Sequence, residues 1–489
     1  MTRVQLCGQI QFFRFKTVQW WSMSLYKTMA SQFIREIEAG QLAEGSRLPS
    51  LRQLAKQQAV SMSTAVSCYQ ELESQGWIHA RPQAGYYVSS QRNQHHTPAW
   101  AQFVSRVSQV RPRFTFPAKH NGPLGVSATF LDDIGQNALE QSFRRVNKRL
   151  LGKRLNQYPH PQGEPSLRYA LSAHFAKLGF HINPDELVIT SGCMPAIKMA
   201  VEACTQVGDA IAISSPCFSG ILDLLGQMAR QIVEIPSLDE GIDLDQLEQH
   251  LRQGSVKAGI FCTSHMNPQG ITMSAQQKRR LAALANHYQV PIIEDDVYLE
   301  LSYSEHTPLP AKSYDQDGYI LWCGSISKSL SPSYRLGWCL PGRFTAAYVQ
   351  QYTAAFFGVS LPIQLAVADF IESGHYAKQL KRRRNRLLNL KQAYFSFLSA
   401  RLPDEVKISN PLGGMVLWLQ VPYLNHTRFA ALIEAYQIDI RLGELFSTLS
   451  LYHDCFRINI GFELTQDVED ELNRLIEAIL QASDVSDSI

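Results

Sequence analysis

The chain has 489 residues, 45% of them hydrophobic and 18% charged, with a formal net charge of +3. This length provides for two to four domains with ample core. The composition is that of a soluble protein, and no apolar run is long enough to cross a bilayer, which argues against a membrane protein. Nine scattered cysteines (Cys7, Cys68, Cys193, Cys204, Cys217, Cys262, Cys323, Cys339 and Cys455) include no Cys-x-x-Cys pair. They are expected as reduced, buried thiols of a cytoplasmic protein rather than as a disulfide framework. No internal repeat is evident.

Residues 1–22 carry Arg3, Arg14 and Lys16, no acid, and an apolar cluster around Phe12, Phe13, Phe15, Trp20 and Trp21. The charges interrupt any secretory apolar core. The segment is therefore expected to be an unstructured or misassigned leader, with Met23 the functional start; a basic membrane-surface segment is the alternative. From residue 24 the pattern changes. Leu25, Met29, Phe33 and Ile37 recur at helical spacing, and Gly40 stops that helix. Ser50 and Gln53 have capping-box spacing, so a second short helix starts at Leu51. Ser61 or Ser63 caps a third, with Ala65, Cys68, Tyr69 and Leu72 on one face and Gly76 at its end. Residues 77–88 then read as a β-hairpin that turns at Gly85. Helix, helix-turn-helix and hairpin together make a winged helix-turn-helix over residues 23–90.

This segment resembles the GntR family of DNA-binding domains. The residues that carry the resemblance are Arg47-Leu48-Pro49-Ser50-Leu51-Arg52-Gln53-Leu54-Ala55, Val60-Ser61-Met62-Ser63-Thr64 and Tyr69-Gln70-Glu71-Leu72-Glu73-Ser74-Gln75-Gly76. The resemblance implies binding to double-stranded operator DNA. The third helix would enter the major groove by its N-terminal end, where Ser61, Met62, Ser63 and Thr64 meet base edges or phosphates. Arg47 belongs to the same DNA-facing turn, and Arg52 would clamp a phosphate. Gly85 lets the wing turn, and Arg81 is near enough to reach a neighbouring groove. Many family members have Arg where this chain has Met62, so readout would lean on hydroxyls and on apolar contact with thymine methyls.

Residues 91–118 are polar and proline-containing, as suits a linker. Trp100, Phe103 and Val104 are placed to form a short amphipathic turn that docks on one domain. His95 and His96 have no third ligand at plausible spacing, so no metal site is expected. From residue 119 the chain reads as a larger α/β unit, with a large subdomain over about 150–380 and a small one over about 381–489. The basic run Lys381-Arg382-Arg383-Arg384-Asn385-Arg386 near their junction reads as a solvated helix face, with contact to DNA the alternative.

Several motifs in this unit bear on chemistry. Residues 289–298 look like a buried parallel strand that ends at Asp295 and Asp296, where a doubly wound sheet opens onto a ligand. Ser325-Ile326-Ser327-Lys328 is followed by Arg335, which sets a lysine amine among hydroxyls and a guanidinium. Glu186 to Ala196 reads as strand, glycine turn and helix start, a ready phosphate site. These segments resemble the pyridoxal 5′-phosphate (PLP) site of fold-type I, class I/II aminotransferases.

That resemblance implies a mainly parallel αβα sheet, with Lys328 as the Schiff-base lysine and Asp295 under the pyridine nitrogen. Asn267 of Asn267-Pro268-Gln269-Gly270 and Tyr298 would hold the O3′ oxygen. Ser325, Ser327 and Arg335 would hold the phosphate, with backbone help at Gly192, Cys193 and Met194. Phe218 would stack on the ring. Tyr158 would reach the phosphate of a partner subunit, which implies a homodimer. Arg457 would grip the α-carboxylate of an amino-compound effector. The whole chain from Met23 is similar to the MocR subfamily of GntR regulators. The function this implies is a PLP-dependent transcriptional regulator that senses an amino compound or PLP itself. A working aminotransferase with an accessory DNA-binding module is the alternative.

Overall fold

The computed structural model describes residues 25–81, 84–89, 97–110, 122–128, 130–150, 156–304 and 307–483. The expected leader over 1–22 and the pair His95 and His96 lie outside the described residues. The N-terminal unit folds as α1 (Leu25–Glu38), α2 (Leu51–Gln57), α3 (Met62–Ser74), β1 (Ile78–Arg81) and β2 (Gly85–Val88). Both hydrogen bonds of the Ser50–Gln53 capping box form at the start of α2. Ser61, rather than Ser63, caps α3 by accepting from the Thr64 N–H at 3.1 Å. β1 and β2 pair antiparallel, with Ile78 opposite Val88. Leu54, Cys68, Tyr69, Leu72, Ile78 and Val88 bury the facing sides of these elements in one core. The Tyr69 hydroxyl donates to the Pro49 carbonyl at 2.8 Å and ties α3 to the turn before α2.

The segment expected as a linker is partly built into the larger unit. Residues 107–109 form β3, which pairs antiparallel with a strand of the central sheet. Trp100 docks as expected, its indole N–H donating to Asp239 at 3.0 Å. The amphipathic turn does not form, and Val104 is 85% exposed. Its backbone is served differently: the Ser105 N–H donates to the Gln246 amide oxygen at 2.7 Å, and the Gln246 amide donates to the Phe103 carbonyl at 3.0 Å.

The central sheet continues with β4 (Val188–Thr190), β5 (Ala210–Ser215), β6 (Gln231–Leu238), β7 (Ala258–Phe261), β8 (Ile292–Asp295), β9 (Ile320–Ser325) and β10 (Gly337–Leu340). Its order is β3-β6-β5-β7-β8-β9-β10-β4. The five strands from β6 to β9 run parallel, whereas β10 is antiparallel to both of its neighbours. Nearly every residue of these inner strands is buried, as expected for a sheet with both faces covered.

The small domain packs helices on a second sheet of β11 (Lys407–Ile408), β12 (Val416–Gln420), β13 (Arg441–Leu442) and β14 (Cys455–Asn459), in the order β11-β12-β14-β13. Two boundaries differ from expectation. The junction helix, His375–Ser399, runs straight through residue 380. Leu124, far upstream, is fully buried in the small-domain core beside Leu417, Phe456 and Ile458. The Asn459 N–H reinforces this by donating to the Leu124 carbonyl at 2.7 Å. Leu124→Ala should therefore destabilise the small domain by about 2–5 kcal/mol. The check is a fall in the thermal unfolding midpoint.

Candidate functional site

The parallel strands deliver their C-terminal ends to one place. β8 ends at Asp295, β9 ends at Ser325 just before Lys328, and β5 leads to Phe218. Asn267 follows β7, and Gly192 follows β4. A cavity of about 340 Å³ opens there, and Asp295, Lys328, Asn267, Tyr298, Arg335 and Arg457 are among its walls. This is the crevice outside the strand ends where open α/β sheets bind ligands.

The electrostatics of this crevice are set by burial. Lys328 is pushed down to about 8, first by burial and then by the Arg457 charge, with Asp295 opposing. Its Nζ donates to the Ser127 carbonyl at 2.5 Å and lies 5.8 Å from the Tyr298 ring centre. Burial raises the Asp295 carboxyl, against hydrogen bonds from Cys193 and Val297. The Cys193 thiol donates to Asp295 at 3.3 Å. Arg457 is also pushed down, to about 10, by burial. Its Nη1 donates to the Asn267 side-chain oxygen at 3.1 Å and its Nη2 to the Gly125 carbonyl. Its buried Nε has no hydrogen-bond partner among the described residues.

The end of the cavity at Gly192 and Arg335 is built from small parts. Gly192 has φ +111° and caps the helix α4 (Cys193–Cys204). A Cβ on Gly192 would lie 2.6 Å from Arg335 Nη2. Glycine here thus lets a guanidinium lie beside a helix N-terminus, which suits an anion. Among the described residues, the Arg335 guanidinium makes only long contacts, at 3.4 Å to the Pro332 and Ser191 carbonyls. Cys193 and Met194, at the start of α4, line the cavity, with the Cys193 thiol turned to Asp295. Ser325 and Ser327 also line the cavity, and so does the Phe218 ring. Tyr158 is not brought in: it is 85% exposed and packs on Phe357 with ring centres 5.8 Å apart.

The basic run 381–386 is not a solvated face. Arg383 is buried, and its guanidinium donates to the Lys328 carbonyl at 2.8 Å, the Phe130 carbonyl at 3.0 Å and the Leu330 carbonyl at 3.2 Å. Arg382 pairs with Asp132, Arg384 donates to the Glu300 carbonyl, and Arg386 pairs with Glu463. The run looks uniform in sequence, but the helix turns each arginine toward a different neighbour. Only Lys381 and Asn385 face solvent fully.

On the N-terminal unit, Arg47, Arg52, Ser61, Met62, Ser63 and Arg81 reach the surface and Thr64 is half-buried. The Ser61 hydroxyl is engaged with Ser63 at 2.7 Å and Thr64 at 2.8 Å. Arg81 stacks over Tyr87 at 4.3 Å from the ring centre. Gly85 has φ +103°, and a Cβ there would lie 3.4 Å from the Arg47 guanidinium. The turn before α2 and the wing therefore share one edge.

Residues 124–479 match the family Aminotransferase class I and II, and residues 25–88 match Bacterial regulatory proteins, gntR family. The HTH-type transcriptional regulator YdcR of Escherichia coli (strain K12) is 33% identical over 93% of this chain and 98% of its own. The chain belongs to the MocR subfamily of GntR-type transcriptional regulators. A more distant relative, the HTH-type transcriptional regulator NorG of Staphylococcus aureus, is 24% identical over 88% of this chain and 98% of its own. Among solved structures, the Pyrococcus horikoshii kynurenine aminotransferase is similar with a TM-score of 0.65 and 25% identity, covering 74% of this chain and 90% of its own. The cofactor of this MocR chain is PLP. The residues present fit it: a buried amine, a raised buried acid, and a guanidinium at a glycine-capped helix start.

Four residues at this site are not evident from the sequence. Gly125 and Ser127 supply carbonyls to Arg457 and Lys328, and Arg441 lines the cavity. Gly122 and Gly125, just past the linker, are the only signal for the first two. The fourth is Arg383, which the basic run disguises as a solvent residue. No metal is expected from the sequence, yet the fold brings His426, Glu444 and His453 together with ligand atoms within 4.8 Å of one another. This group lies outside the cofactor crevice.

Because the free amine is the nucleophile, capture of added PLP by the apoprotein should speed up as pH rises through about 8 and then level off. Arg457→Met removes a charge that holds Lys328 down, so the midpoint should move upward. Stopped-flow absorbance across pH checks both.

Proposed function

We propose that this regulator is a cytoplasmic homodimer that holds PLP on Lys328 and changes its grip on operator DNA when an amino compound enters the crevice. Arg457 is the observation that carries this reading. A buried guanidinium stands in the same cavity as the cofactor lysine, engaged by one amide oxygen and one backbone carbonyl. A carboxylate would meet it with two oxygens in one plane, a better partner than either. Bound PLP supplies an electron-withdrawing ring to any amine joined to it. The chain's own part is to position that amine. Asp295 faces the ring nitrogen, Asn267 and Tyr298 face the ring oxygen, Ser325, Ser327 and Arg335 hold the phosphate, and Phe218 covers the ring.

The Tyr298 hydroxyl meets the Ser127 hydroxyl at 2.8 Å. Ser127 thus ties Tyr298 by its hydroxyl and the Lys328 amine by its carbonyl, which fixes the two groups relative to each other. Lys328 and Asp295 are both retained, which keeps residual transamination open as a second reading; turnover with a panel of amino acids tests it. Tyr158 supports the dimer, since two exposed aromatics outside their own chain's cavity are well placed to be covered by a second copy. On DNA, Arg47 and Arg52 serve as phosphate contacts, α3 reads the major groove through Met62, Ser63 and Thr64, and Arg81 works from the wing.

Arg52→Ala should weaken binding to every duplex alike and flatten the salt dependence by about one unit of slope, whereas Thr64→Ala should change sequence preference. Fluorescence anisotropy across a salt series separates the two. Arg457→Ala should abolish the change in DNA affinity that an α-amino acid produces in the PLP-loaded protein. A wild-type response in that variant would make Arg457 a structural residue.

A further inference from the structure

The junction helix α5 (His375–Ser399) touches both functional ends of the molecule. Tyr376, Leu380, Arg383, Leu387, Lys391, Tyr394 and Leu398 fall at three- and four-residue spacing, and all are buried. They form one stripe of the helix. Two of the seven are cations. One, Arg383, binds the Lys328 and Leu330 carbonyls. Two turns earlier on the stripe, the Tyr376 hydroxyl meets the Ser329 hydroxyl at 2.7 Å and donates to Glu300 at 2.6 Å. Glu300 in turn contacts the buried His174 ring at 2.5 Å. Burial opposes the Glu300 charge, but His174 and Tyr376 hold its carboxyl below the usual range. The chain around Lys328 is thus clamped from behind at three consecutive residues, 328, 329 and 330.

The other cation faces the DNA reader. Lys391 is 2% exposed and Glu73, near the end of α3, is 5% exposed. Burial pushes Lys391 down to about 8 and pushes Glu73 up, and each charge opposes the other's shift. Glu73 is fixed on its own domain by the Ala80 N–H at 3.1 Å. The next residue of α5, Gln392, donates to the Glu73 carbonyl at 3.1 Å. Lys391 and Gln392 line one cleft with Gly76, Ile78 and His79 of the reader domain. The helical rise between Arg383 and Lys391 is roughly 12 Å.

We propose that α5 couples the cofactor lysine to the recognition helix, with Arg383 and Lys391 as its two positioning residues. Lys328 must leave the Ser127 carbonyl when it takes the cofactor, and the loop that carries Lys328 is bonded to α5 through Arg383. The segment that carries Ser127 is bonded to Arg383 as well, through the Phe130 carbonyl. A shift of α5 then reaches α3 at Glu73, while the N-terminal end of α3 stays free for DNA. Rigid helices carry such coupling because a packed core moves them as units.

This inference rests on Lys328 being the PLP lysine, and one experiment separates the two claims. Amide hydrogen exchange is followed in the full-length protein with and without PLP, over residues 326–331 and 62–74. In the wild type, PLP slows exchange in both segments. In Lys391→Met and in Glu73→Gln, the effect on 326–331 remains and the effect on 62–74 is lost. Protection of 326–331 alone in the wild type overturns the coupling while leaving the PLP reading intact. Persistence of the α3 effect in both variants also overturns it. No change in either segment, with no visible absorbance from bound PLP, overturns the PLP reading and the coupling with it.

Discussion

A cationic amine buried beside two guanidinium groups is the constraint that the rest of this structure answers. Lys328 has Arg457 and Arg335 acting on it, with Asp295 as the opposing charge. Removing that amine from water without a full counter-charge is costly. The chain lowers the cost by giving the ammonium a carbonyl from Ser127 and by depressing its proton affinity. The same arrangement makes the amine a ready nucleophile near neutral pH. An anionic phosphate and a carboxylate are the ligands that such a cation-rich crevice favours.

The scaffold around this crevice follows from strand polarity. Parallel neighbours end together, so residues far apart in sequence meet at one edge. That is why Asn267, Asp295 and Lys328 are legible in the sequence as a set: each stands just past an apolar run that suits an inner strand. Gly192 is legible for the same reason, as the turn between a strand and a helix. The reader domain is legible from its caps. Ser50 with Gln53, and Ser61 before α3, mark helix starts that the backbone then adopts.

Other features are not legible because they depend on packing rather than on local pattern. Residues 107–109 carry too short a strand signal to stand out, and they become a strand only by pairing with β6. Nothing in the sequence around Leu124 marks it for the small-domain core, which closes over it from far downstream. Arg383 and Lys391 are hidden by a different effect. A basic run around Arg383, like a lone lysine at Lys391, suggests solvent, and only the helical stripe of Tyr376, Leu380, Leu387 and Tyr394 shows that these two cations share the buried side. Tyr158 marks a further limit, since the role proposed for it needs a second copy of the chain.

The described part of the connection pairs a β-strand into the central sheet, and the long helix α5 meets the DNA reader through Gln392 and Glu73. The measurement that tests this account most directly is DNA affinity with and without PLP, on the duplex upstream of the chain's own gene, for the wild type and Lys328→Ala. The account predicts that PLP shifts the wild-type affinity and leaves Lys328→Ala unchanged. Equal affinities for apo and PLP-loaded wild type, before and after a panel of amino acids, would contradict it.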